Sequence, residues 1–244
     1  KEVDLNLTVA KRAYDQVEKG HLVMKGIQPP RPLLTGNEAI GLGMVKGGLD
    51  AYVSYPMTPS SSLLHFLAEH QERLGITVVH PENEIAVILM ALGFSYAGKR
   101  SAVGTSGGGF CLMTEGLSLA GMAEIPLVLV VSQRTGPSTG LPTYTGQSDL
   151  AFVLHAGQGE YPRLIVAPGD AQESLFWSET AMNIAWKFQI PAFILTDKTL
   201  SEGTYSDDPA AISDVRRGDS PVWSGSMPYL RYAAGFGALK SVGD

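Results

Sequence analysis

Apolar residues follow two rhythms along this chain. Some runs are short, continuous and bounded by turn residues, as in Leu127-Val128-Leu129-Val130-Val131. Between them lie longer stretches with helical spacing. The runs at 51–55, 76–80, 101–104, 126–132, 164–166 and 192–196 predict strands. The stretches at 60–74, 85–98, 110–123, 148–155 and 170–187 predict helices, the third led in by the glycine-rich turn Ser106-Gly107-Gly108-Gly109. Strands that are apolar throughout and alternate with helices predict an α/β fold: a mostly parallel sheet with helices on both faces. Thr35 followed three residues later by Glu38 predicts a capping box that opens a further helix.

The ends lack this alternation. Residues 1–32 combine a helix-like run at 6–19 with Pro29-Pro30-Arg31-Pro32, which reads as a linker. Residues 33–200 form the α/β domain. Residues 201–244 show no period and read as an extended arm or linker. There is no Met at position 1, and the polar start suggests a piece of something longer.

Composition narrows the class. Hydrophobic residues make up 44% of the 244 and charged residues 17%, so partners are expected to cover part of the surface. A net charge of −6 argues against nucleic-acid binding and against an acidic membrane. No apolar run is long enough to span a bilayer. One cysteine, Cys111, supports neither a disulfide framework nor an iron–sulfur cluster, and fits a cytoplasmic location. The five histidines show no metal-ligand spacing, so no metal site is expected.

In open α/β sheets, ligands bind beyond the carboxyl ends of the strands. The residues there form a distinctive set. Tyr55-Pro56-Met57-Thr58-Pro59-Ser60 follows the first strand of the alternation, and Glu82-Asn83-Glu84 follows the second. Thr105-Ser106-Gly107-Gly108-Gly109 follows the third, and Arg134 the fourth. Each has a plainer reading. Thr58 can shape a turn and cap a helix. Glu84 can be a first-turn charge at a helix N-terminus. Arg134 can be a solvated loop charge. The glycine turn lacks the lysine of a P-loop and the spacing of a dinucleotide fingerprint, and reads as close backbone packing or a platform for a flat ligand. Glu84 shares a helical stripe with Ile88, Ala91 and Ser95, which carries its carboxylate toward the core. On residues alone, the chain is an α/β domain with a ligand rim.

The same four motifs, with Ser132-Gln133-Arg134-Thr135-Gly136-Pro137-Ser138-Thr139-Gly140, resemble in matching order the alpha subunit of 2-oxoacid:ferredoxin oxidoreductases. The similarity covers about residues 33–200, the domain of that subunit that binds the aminopyrimidine of thiamine diphosphate, and leans toward 2-oxoglutarate-type enzymes. It implies a coenzyme A-dependent oxidative decarboxylation. Glu84 would hydrogen-bond the pyrimidine nitrogen as the catalytic acid, leaving Glu82 as the cap. Thr58 and Arg134 would hold the 2-oxoacid. Tyr55, Pro56, Thr105, Ser106 and Gly107 would complete the cofactor contacts. The family's diphosphate motif, Gly-Asp-Gly, is absent: Gly169-Asp170 and Gly218-Asp219 are each followed by another residue. Magnesium and diphosphate would therefore be held by a beta subunit, iron–sulfur clusters would lie on a partner, and ferredoxin would accept the electrons. The chain alone would be inert. An indolepyruvate or other thiamine-dependent oxidoreductase, and a non-catalytic scaffold that keeps the fold, are the alternative readings. A dicarboxylate would need a second cation, for which Lys99, Arg100 or a partner residue are the candidates.

Overall fold

The computed structural model describes residues 2–17 and 31–206. The chain separates into two compact units, residues 1–30 and 31–244. In the first, α1 (Glu2–Gln16) is a helix whose apolar residues, among them Val3, Leu5 and Leu7, are exposed. The remaining elements belong to the second unit.

There, β1 (Leu33–Thr35) leads into α2 (Gly36–Lys46). Thr35 caps that helix as its sequence signature requires. The Glu38 backbone N–H donates to Thr35 Oγ1 at 3.2 Å, and the Thr35 N–H donates to Glu38 Oε2 at 2.7 Å. The alternation then runs β2 (Ala51–Ser54), α3 (Ser61–Leu74), β3 (Thr77–Val79), α4 (Glu84–Tyr96), β4 (Ser101–Thr105), α5 (Gly107–Ala123) and β5 (Leu127–Gln133). It continues through α6 (Leu150–His155), β6 (Leu164–Val166), α7 (Ala171–Phe188), β7 (Pro191–Asp197), α8 (Lys198–Glu202) and β8 (Thr204–Ser206).

Six strands form one sheet in the order β3-β2-β4-β5-β7-β6, and every pair in it is parallel. Both faces are covered, as the sequence predicts. Alternate residues of β5 divide between two cores: Val128 and Val130 point toward α2, α3 and α7, whereas Leu127, Leu129 and Val131 point toward α4, α5 and α6. This is why β5 reads as an unbroken apolar run.

Two features differ from the sequence reading. β8 pairs antiparallel with β1, Leu34 opposite Tyr205, so the segment after residue 200 returns to the start of the α/β unit before the described residues end. The rest of the expected arm, and the linker prolines at 29 and 30, lie outside the described residues. The second difference concerns α4, whose uncharged run from Ile85 to Gly98 predicts a helix packed on most sides. Its inner face is buried, but Ile85, Leu89 and Met90 are between 41% and 48% exposed, and α5 exposes Leu112 and Leu119 in the same way. The helix is apolar all round, yet the sheet covers only one side of it, and no further layer of the described residues covers the other.

Candidate functional site

The strand order decides whether the four motifs meet. β3, β2, β4 and β5 are consecutive neighbours, and because they are parallel, their carboxyl ends lie along one edge. Successive strands in a sheet are about 4.8 Å apart, so four neighbouring ends span only about 15 Å. The first switch in strand order falls between β2 and β4, where the loops after Ser54 and Thr105 leave the sheet.

Glu84 occupies the first turn of α4. The helix is capped by Asn83, whose side chain accepts from the Ala86 N–H at 3.0 Å, so the expectation that Glu82 caps does not hold. Asn83 stands immediately before the helix, and its short amide reaches the third turn position, whereas Glu82 is exposed one residue too early. Glu84 is therefore relieved of the capping role. It is 4% exposed, and its Oε1 is buried with no hydrogen-bond partner. A buried carboxylate oxygen without a donor is costly unless something supplies one. Ile88, Ala91 and Ser95 on the same stripe are buried beneath it.

Glu84 faces the start of α5. A Cβ on Gly109 would stand 2.6 Å from Glu84 Oε1 and would overlap Thr105 Oγ1. Thr105, Glu84 and the glycine turn thus share one wall. Gly109 is required there because the helix backbone comes this close to a carboxylate and a hydroxyl. Ser106 is the N-cap of α5, but its side chain makes no capping bond, and its Oγ is buried without a partner.

The loop after β2 closes the other side. Arg134 Nη1 donates to the Thr58 carbonyl oxygen at 2.7 Å, which brings together two residues far apart in the chain. Arg134 is only 8% exposed, so the solvated-charge reading does not hold. Burial lowers its proton affinity, but a guanidinium starts so high that it stays charged. Thr58 does not cap α3, whose N-cap is Ser60. The Thr58 backbone is committed to Arg134 and its hydroxyl is not engaged in that contact. Tyr55 lies edge-on to His80 with ring centroids 5.9 Å apart, at the β2–β3 end of the rim. Met57 Sδ is 4.0 Å from Thr105 Oγ1.

Two contributors escaped the sequence reading. Asn37, fully buried in the first turn of α2, donates through Nδ2 to Pro59 O at 2.9 Å and to Ser62 Oγ at 2.7 Å, and so fixes the loop that carries Thr58. Asp149 donates its backbone N–H to Gln133 Oε1 at 2.9 Å and packs its carboxylate against Gly107. Neither belongs to a recognisable motif. Arg100, a candidate second cation, sits at the opposite end of β4 from Thr105. It is fully buried, donates to Gly47 O and to Asn183 Oδ1, and lies over the Trp186 ring. A five-residue strand is about 17 Å long, so Arg100 is a structural residue beneath α2 and α7 and cannot reach the rim. Among the described residues, no cluster of His, Cys, Asp and Glu is placed to hold a metal ion. No helix among them is long and apolar enough to cross a membrane.

Comparison with known proteins agrees with this fold. A family model described as "Pyruvate flavodoxin/ferredoxin oxidoreductase, thiamine diP-bdg" matches residues 42–213. The 2-oxoacid:ferredoxin oxidoreductase 1 subunit alpha of Sulfurisphaera tokodaii is 40% identical over 246 residues, covering 93% of this chain and 39% of that protein. The 2-oxoglutarate synthase subunit KorA of Archaeoglobus fulgidus is 37% identical over 166 residues, covering 68% of this chain and 48% of the relative. The solved 2-oxoglutarate:ferredoxin oxidoreductase from Magnetococcus marinus, with 2-oxoglutarate, coenzyme A and succinyl-CoA bound, superposes with a TM-score of 0.81 at 33% identity, covering 96% of this chain and 41% of that one. The chain thus spans less than half the length of each of these three proteins.

Proposed function

The chain belongs to the pyruvate flavodoxin/ferredoxin oxidoreductase family through its thiamine diphosphate-binding domain, and from that membership we propose that it is the alpha-subunit portion of a 2-oxoacid:ferredoxin oxidoreductase, contributing the pyrimidine half of a shared thiamine diphosphate site. The reaction is the coenzyme A-dependent oxidative decarboxylation of a 2-oxoacid, with 2-oxoglutarate the substrate suggested by the names of several relatives. The single observation that carries the reading is the buried, unpartnered Oε1 of Glu84 at the rim where four strand ends meet. That oxygen needs a donor, and a protonated ring nitrogen of an aminopyrimidine is one.

Thiamine diphosphate, when bound, supplies the nucleophilic carbon that the protein's own side chains lack. The chain's residues bind, orient and hold protons. Glu84 fixes the pyrimidine nitrogen and holds the proton there. Tyr55, Pro56, Thr105 and the backbone of Ser106 and Gly107 line the place of the ring, with Gly109 letting the α5 backbone come close to Glu84. Thr58 offers a hydroxyl and Arg134 a charge-assisted clamp to the 2-oxoacid. Their mutual contact sets the spacing between them before substrate arrives.

The rest of the machinery belongs elsewhere in the assembly. A beta subunit would hold the magnesium and diphosphate, iron–sulfur clusters would lie on a partner, and ferredoxin would take the electrons. The exposed apolar outer faces of α4 and α5, flanking the Glu84 rim, support a covering subunit there.

The test is Glu84→Gln in the complete enzyme with its beta subunit. Loss of a positioned acid lowers the rate by on the order of 10²–10⁴-fold, read as 2-oxoacid-dependent reduction of a viologen dye. Undiminished turnover with intact assembly would remove Glu84 from catalysis and the reading with it. A substrate panel with and without coenzyme A separates 2-oxoglutarate from pyruvate and indolepyruvate.

A further inference from the structure

A recess of about 190 Å³ opens between the start of α5 and the loop after β5, with Ser106, Gly107, Arg134, Ser138 and Asp149 among its walls. Three of these residues carry a buried polar atom with no partner: Ser106 Oγ, Arg134 Nε and Asp149 Oδ2. Ser106 is 1% exposed and Arg134 8%. Two can donate and one accepts, so the set is complementary across the recess without its members being bonded to each other. Buried polar groups are seldom left unpaired, and a polar recess with room for water is where ordered water is found. A water molecule occupies about 30 Å³ in the liquid, so this space accommodates several.

Asp149 is the anchored member. Its backbone N–H is held by Gln133, the residue just before Arg134. Its carboxylate is pressed against Gly107 so closely that a Cβ there would lie 2.6 Å from Oδ2 and 2.9 Å from Cγ. Ser106 leaves the N-terminus of the 17-residue α5 without a side-chain cap, so the negative charge stands where the helix is partially positive. Opposite it, the loop is bent through Ser138, a non-glycine residue with φ of 57°. Two sides of the recess are therefore fixed, and the Arg134 guanidinium lies between them and Thr58.

We propose that Asp149 is a positioning residue for Arg134: through ordered water in this recess, its carboxylate holds the guanidinium in the orientation in which Nη1 meets Thr58. Ser106 Oγ completes the water's hydrogen bonds. In this assignment Asp149 makes no contact of its own with cofactor or substrate. Its effect reaches the reaction only through the clamp on the 2-oxoacid, and so rests on the role proposed for Arg134.

The experiment is a double-mutant cycle in the complete enzyme, with Asp149→Asn, Arg134→Gln and the pair, measuring KM for the 2-oxoacid and kcat separately. Asn keeps the size of the side chain and removes the charge. D149N is expected to raise KM about tenfold, the scale of a hydrogen bond to a charged group, with kcat within about twofold. R134Q is expected to raise KM at least as much. The double variant should be no worse than R134Q alone, because Asp149 then has nothing to orient. An unchanged KM in D149N alongside a raised KM in R134Q overturns the inference and leaves the substrate role of Arg134 standing. Additive losses overturn it too, as does a D149N chain that no longer assembles with its beta subunit, which would make the carboxylate part of the scaffold. An unchanged KM in R134Q overturns the substrate role itself.

Discussion

Gly109→Ala separates the folding and catalytic demands on one atom. A Cβ at this position would overlap Thr105 Oγ1 and stand 2.6 Å from Glu84 Oε1 and 3.0 Å from Glu84 Cγ. Ordinary contact lies near 3.5 Å, so the carboxylate must move by roughly 0.5–1 Å. Overpacking of this kind costs about 1–3 kcal/mol, while alanine in a helix gains about 1 kcal/mol over glycine. The net loss of stability is therefore roughly 0–2 kcal/mol, a fall in Tm of a few degrees for a domain of this size. Catalysis is far less forgiving. Misplacing a catalytic group by about 1 Å costs on the order of 10²-fold. G109A should fold, assemble and melt close to wild type, yet lose on the order of 10²-fold in dye reduction and bind thiamine diphosphate more weakly by calorimetry in the complex. Gly93→Ala is the stability control: it lies in the last turn of α4 and a Cβ there meets nothing within 4 Å. Measured on the chain alone, it should gain about 0.5–1 kcal/mol. If G109A retained activity within about twofold, the close approach of α5 to Glu84 would have no bearing on the reaction, and the placement of the cofactor ring on this wall would be wrong.

Two further substitutions probe the scaffold beneath the rim. Thr35→Ala removes the side-chain half of the α2 capping box and leaves the backbone N–H donating to Glu38; it should cost about 1 kcal/mol, read as a drop in the denaturant midpoint at constant m. Gly43→Ala is expected to be worse. Its Cβ would overlap the Leu175 carbonyl oxygen and stand 2.8 Å from Ser178 Cβ, where α2 crosses α7. Backbone cannot step aside, so a loss of about 2–3 kcal/mol is expected, and a thermal melt matching wild type would show that the two helices separate freely.

Whether a feature could be read from the sequence depended on how local its cause is. β5 was legible because burial on both faces leaves a run of five apolar residues, and the α2 cap because its two bonds join residues three apart. The β1–β8 pair was not, since three-residue strands carry no period and each is defined only by a partner at the far end of the domain. The site divides in the same way. Glu84, Thr58, Thr105 and Arg134 stand out because each follows a strand, a position with chemical meaning in any parallel sheet. Their meeting required the order β3-β2-β4-β5, which depends on contacts between strands and leaves no trace in any one of them. Asn37 and Asp149 are harder still. Both hold the site through atoms any residue could present: a proline carbonyl, a backbone N–H, the bare Cα of a glycine. The glycines were the available clue. A Gly-Gly-Gly turn without phosphate-loop spacing marks backbone approached on several sides, and here the approaching groups include the two carboxylates, Glu84 and Asp149. One faces the rim and the other the recess behind Arg134, so the turn that reads in sequence as close packing or a platform for a flat ligand is what relates the two halves of the site.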